Sequence, residues 1–118
     1  MEGLVKGNVV VIPFPFSDLS ASKRRPALVL ANFSGNDILL CQITSQYHSK
    51  EKNAVVLKTT DFKSGTLPVN SYIRPLRIFT ADKSLILRTA GTVSDEIVNE
   101  TIEMIVKTLR QEPSLHVF

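Results

Sequence analysis

The chain has 118 residues, 43% apolar and 21% charged, with 14 Lys/Arg against 11 Asp/Glu and a formal net charge of +3. These values describe one globular domain and exclude a disordered or fibrous chain. One cysteine, Cys41, excludes an internal disulfide, and with two histidines it makes no zinc set.

The first eight residues, MEGLVKGN, lack the basic start and unbroken apolar core of a signal peptide. The longest apolar run, residues 9–16, is broken by Pro13 and Pro15 and falls far short of the ~20 residues of a membrane helix. A cytoplasmic protein without a membrane segment is expected. Asn8-Val9-Val10-Val11-Ile12 reads as a strand that the prolines end or push to a sheet edge. Ser17 to Lys23 is small and polar, which predicts a loop. Pro26 biases Arg25 to an extended conformation, so Arg25 is expected at the junction of loop and strand, with Lys23 and Arg24 further into the loop.

Ala27–Ala31 and Ile38–Ile43 are the next two strands, joined as a hairpin through Ser34-Gly35-Asn36. Ala54–Leu57 is a fourth strand, and Thr60 to Gly65 reads as one helical turn closed by the glycine. Ser71–Ile73 and Leu85–Leu87 are two more short strands. The period then changes. Ser94 caps a helix with Asp95 and Glu96 in its first turn, and Val98, Ile102, Ile105 and Leu109 mark one apolar face that packs on the sheet. Pro113 stops it. Six short strands followed by one helix predict a mainly β domain, a small curved antiparallel barrel with a C-terminal helix.

Charge is uneven along the chain. Residues 1–90 hold 12 Lys/Arg and 6 Asp/Glu, whereas residues 91–118 hold 2 and 5. A basic body with an acidic end points to a polyanion or an acidic partner at the body. No GxGxxG, Walker loop or GxSxG elbow occurs, so nucleotide-cofactor folds and α/β-hydrolases have no support. His116 lies two residues from the C-terminus, and His48 follows Thr44-Ser45-Gln46-Tyr47 in a loop, where a solvated histidine is the plain expectation.

Polar groups at strand ends remain. Arg24 and Arg25 close the first loop, and Thr44 and Ser45 end the strand Ile38–Ile43, where hydroxyls are presented to solvent. Arg74 and Arg77 follow Tyr72. Guanidinium forks match phosphate oxygens. Tyr47, Tyr72 and Phe16 offer flat faces for unpaired bases, although packing in the core is the commoner use of an aromatic.

The opening NVVVIPFPFSDLSASKRRPALVLAN resembles the start of the MazF/PemK (Kid) toxins of bacterial type II toxin–antitoxin modules. The likeness continues through ILLCQITSQ and SYIRPLRIFTADKSLI and covers nearly the whole chain. It implies an SH3-like barrel, a homodimer, a cognate antitoxin and a ribonuclease that cuts single-stranded RNA at short motifs with no metal or cofactor. In the mechanism it implies, the 2′-hydroxyl attacks the adjacent phosphorus and leaves a 2′,3′-cyclic phosphate and a 5′-hydroxyl. Arg25 is then assigned proton transfer or charge stabilisation, and Thr44 the phosphate oxygens. Ser17, Asp18, Lys23, Arg24, Ser45, Tyr47, His48 and Arg74 are the expected substrate contacts. Two departures stand out: Kid-type members carry an aspartate two residues after the arginine matching Arg74, where this chain has Leu76, and a histidine in the first loop, where this chain has none. The same barrel serves the gyrase-poisoning CcdB toxins, which cut nothing, and a non-catalytic RNA-binding module would use the same cations.

Overall fold

The computed structural model describes residues 3–14 and 23–111, so Ser17, Asp18, Phe16 and His116 lie outside the described residues. Seven strands and one helix follow in chain order: β1 Asn8–Phe14, β2 Lys23–Asn32, β3 Asp37–Thr44, β4 Val55–Leu57, β5 Phe62–Gly65, β6 Ser71–Asp82, β7 Arg88–Val93 and α1 Asp95–Leu109. The strands form one curled antiparallel sheet in the order β4-β6-β3-β2-β1-β7-β5, a half-barrel with the helix laid against it.

The sheet is buried on both faces, which explains why β1 is a continuous apolar run instead of an alternating one. Val9, Leu28, Cys41, Ile43 and Ile73 share one core with Ile97 and Val98 of α1. Val10, Ile12, Ala27, Val29, Ile38 and Leu40 build a second core on the opposite face. Each fully buried Val, Leu or Ile contributes about 1.5–3 kcal/mol relative to exposure, so both cores drive folding. On α1 only the N-terminal half is sunk, at Ile97, Val98 and Thr101, whereas Leu109 is 77% exposed. Ser94 caps it as expected, its Oγ accepting from the Ile97 amide at 3.3 Å.

The strand bounds differ from the sequence expectation in instructive places. Pro13 does not end β1. The Val11 carbonyl faces Leu87, accepting its amide at 2.8 Å. With a period of two, the Pro13 nitrogen points the same way, where β7 no longer pairs, because that ladder stops at Val11. The missing N–H therefore removes no ladder bond there. Residues 59–61 form a 3₁₀ turn, but Phe62–Gly65 is a strand and not the end of a helical turn. Gly65 lies opposite Gly91 of β7, and a Cβ on either would run into the backbone of the other strand. Ser71–Ile73 is only the start of a twelve-residue strand, and Leu85–Leu87 precedes β7 without belonging to a strand.

That long strand crosses Pro75 by means of a bulge. Cys41 pairs with Ile78 and Ile43 with Ile73, so four residues, Arg74 to Arg77, lie opposite Gln42 alone. Pro75 has no N–H for the ladder, and the bulge absorbs that loss. The Cys41 thiol donates to the freed Arg74 carbonyl at 3.0 Å.

Candidate functional site

Strand pairing brings Arg25 and Thr44 together. The register that sets Ala27 opposite Gln42 carries Arg25 and Thr44 to the same end of β2 and β3. Alternation puts them on the same face of the sheet. The β6 bulge adds Arg74 and Arg77 from the neighbouring strand. These four residues, with Gln42, Gln46 and His48, line a cleft of about 260 Å³.

Arg25 is half-buried, and its Nε is the one buried side-chain nitrogen or oxygen without a hydrogen-bond partner among the described residues. Leaving a charged donor desolvated and unpaired costs more than the 1–3 kcal/mol of a neutral group. Such a donor is open to an acceptor that the described residues do not supply, a water or a bound group. Thr44 is 4% exposed and forms the floor of the cleft, so its hydroxyl is not offered to open solvent as the sequence suggested. Its Oγ1 accepts from the Gln46 amide at 3.1 Å, which leaves the hydroxyl proton free to donate.

Arg74 is not a free cation. Its Nε donates to Glu51 Oε2 at 2.8 Å, and the two side chains are 15% and 12% exposed. Glu51 belongs to the β3–β4 loop, and nothing in its sequence neighbourhood marked it. His48 sits in the same loop, exposed at the rim of the cleft. Among the described residues no three His, Cys, Asp or Glu side chains are grouped so as to hold a metal.

A second cavity, about 460 Å³, shares Arg25 and Thr44 with the first and continues past Ser45 to Arg24 and Arg88, with Leu67, Val69 and Leu87 as apolar wall. Two cavities thus meet at Arg25 and Thr44. Lys23 and Arg24 are not loop residues: both are on β2, paired with Phe14 and Pro13. The strand begins earlier than expected because β1 continues through Pro13 and supplies a partner. Lys23 is exposed and lines neither cavity. Tyr47 is 70% exposed and rests against Tyr72, with ring centroids 5.7 Å apart, so it is no core residue. Gln42, Gln46 and Arg88 carried no sequence signal. A buried glutamine at a strand position reads like any interior residue until the bulge beside it is known.

Residues 5–109 match the family model described as PemK-like, MazF-like toxin of type II toxin-antitoxin system. A comparison with curated protein sequences gives no match. Among solved structures, an endoribonuclease in complex with its cognate antitoxin from a Mycobacterial species superimposes with a TM-score of 0.72 at 16% identity, covering 94% of this chain and 100% of that one. A MazE–MazF structure from Deinococcus radiodurans matches with a TM-score of 0.71 at 19% identity, over 91% of this chain and 96% of that one. The Mycobacterium tuberculosis toxin MazF-mt6 matches with a TM-score of 0.69 at 14% identity, over 90% and 99%.

Proposed function

The chain belongs to the family of PemK-like, MazF-like toxins of type II toxin–antitoxin systems, and from that premise we propose that it is an endoribonuclease acting on single-stranded RNA at short sequence motifs. The observation that carries this reading is the buried, unpartnered Nε of Arg25 in a cleft floored by the Thr44 hydroxyl. The ribose 2′-oxygen attacks the adjacent phosphorus, the bond from phosphorus to the 5′-oxygen breaks, and the 2′-hydroxyl proton is lost as the leaving oxygen gains one. The products are a 2′,3′-cyclic phosphate and a 5′-hydroxyl. Charge grows on the non-bridging oxygens of the phosphorane. The Arg25 guanidinium serves there as an electrostatic clamp, and Thr44 donates a hydrogen bond. Arg74 and Arg77 hold the phosphate, and Arg24, Ser45 and Arg88 follow the strand into the second cavity.

Two partners belong to this reading. One is a second copy of the chain. Leu76 and Ile78 on the bulged strand are 55% and 41% exposed, and with Ile105 and Leu109 of α1 they line one apolar groove. It lies on the same bulge as Arg74 and Arg77, so a homodimer there sets two clefts beside one seam. The other partner is an acidic antitoxin segment covering the basic cleft, as the antitoxin complexes of the structural relatives suggest.

Digestion of a long RNA by the purified protein tests the activity. Fragments ending in cyclic phosphate and 5′-hydroxyl, abolished by a 2′-deoxy substitution at the scissile nucleotide, are expected. Intact RNA would leave only a binding module.

A further inference from the structure

Resting on that reading of the cleft, we propose that Glu51 is a positioning residue, which aims the Arg74 guanidinium at the RNA phosphate and fixes the loop carrying His48 to the cleft wall. Glu51 engages Nε of Arg74 alone, at 2.8 Å. A carboxylate on that edge sets the plane of the guanidinium and leaves its terminal amino groups for a second anion, so protein and phosphate do not compete for the same N–H. Both side chains are largely buried. Holding two charges out of water costs several kcal/mol per ion unless they are well paired, so the guanidinium has little freedom to leave this geometry. The loop is fastened as well. The Glu51 amide donates to the His48 carbonyl at 2.9 Å, and Tyr47 packs on Tyr72 of β6. Glu51 therefore joins the loop segment that carries His48 to the Arg74 side chain. Glu51 thus supplies a carboxylate to Arg74 from another element, the β3–β4 loop.

A counter-ion and a positioning group make opposite predictions. Glu51→Gln removes a negative charge from a cleft that binds a polyanion. If charge alone mattered, RNA would bind more tightly and cleave as well as before. If Glu51 aims Arg74, binding holds or tightens while chemistry falls. The experiment is single-turnover cleavage at saturating protein, beside binding of an uncleavable 2′-deoxy oligonucleotide. Glu51→Gln should lower the rate about 10- to 100-fold, the scale for displacing a positioned group by an ångström, without weakening binding. Glu51→Asp keeps the charge but falls short of Nε, and it should lose rate similarly; it also provides the reading if the glutamine variant does not fold. In an Arg74→Ala background, Glu51→Gln should change the rate no further. Wild-type rates for Glu51→Asp, or equal losses in both backgrounds, would overturn the proposal. Wild-type protein that leaves RNA intact would instead overturn the ribonuclease reading.

Discussion

Arg25 and its neighbours in KRRP differ in where their side chains go. All three cations lie on β2, but Arg25 turns a buried Nε into the cleft, Arg24 lines the adjoining cavity, and Lys23 stays in solvent. Arg25→Ala should lower the single-turnover rate by roughly 10²-fold or more, the scale for losing one preorganised donor. Lys23→Ala should leave that rate unchanged and mainly weaken binding, with a shallower salt dependence. Rates at saturating protein, with affinities at two salt concentrations, separate the two effects. Cys41 gives a second prediction at this scale. Burial pushes its thiol up to about 12 from 9.0, and the Glu51 carboxylate pushes the same way. The folded protein holds this proton where the unfolded chain releases it. The resulting stability is intact below pH 9 and is lost as pH rises toward 12. Relative to Cys41→Ala, the wild type should become easier to unfold by urea between pH 9 and 10.5, and a thiol reagent at pH 8 should label Cys41 only after unfolding.

Among the elements, the β6 bulge matters most for the site. A regular strand would place Arg74 and Arg77 on opposite faces, since they are three residues apart. With four residues opposite Gln42, both guanidinium groups reach one cleft. The β5–β7 contact is a different device, two glycines brought face to face. A Cβ on Gly91 would lie 2.5 Å from the Ser64 carbonyl oxygen, so the strands must part to admit it. Gly91→Ala should destabilise the fold by about 1–3 kcal/mol, as overpacking does. Urea denaturation checks this. Because the glycine lies away from the cleft residues, the cleavage rate of the folded fraction should match wild type.

For the whole molecule, the apolar face of Leu76, Ile78, Ile105 and Leu109 predicts association. Leu76→Glu places a charge in each half of a self-complementary interface. Sedimentation should shift from a dimer toward the 13.1 kDa monomer, with weaker RNA cleavage at low protein concentration. A wild-type protein sedimenting as monomer at micromolar concentration would refute the interface. The structure describes no helix long and apolar enough to cross a membrane.

How much was legible before the structure depends on the range of the interactions involved. The β-branched run at residues 8–12, the Ser34-Gly35-Asn36 hairpin and the Ser94 cap were readable because their causes are local: branched side chains, a glycine at φ +85°, a hydroxyl one turn from its amide. Pro26 likewise announced that Arg25 is extended. Strand length was not local. Pro13 and Pro75 look like stops until one knows that the β7 ladder beside β1 stops at Val11 and that β6 can bulge opposite Gln42. The cleft itself was partly readable, as a list of cations and hydroxyls at strand ends. Which of them converge depended on register, because shifting a strand by one residue turns every side chain to the other face. The pairing of Arg74 with Glu51, 23 residues away along the chain, had no sequence sign, since a loop glutamate reads as solvated charge. Local chemistry determined which groups this chain possesses. Long-range strand pairing decided which of them meet, and where a buried guanidinium Nε was left without a hydrogen-bond partner.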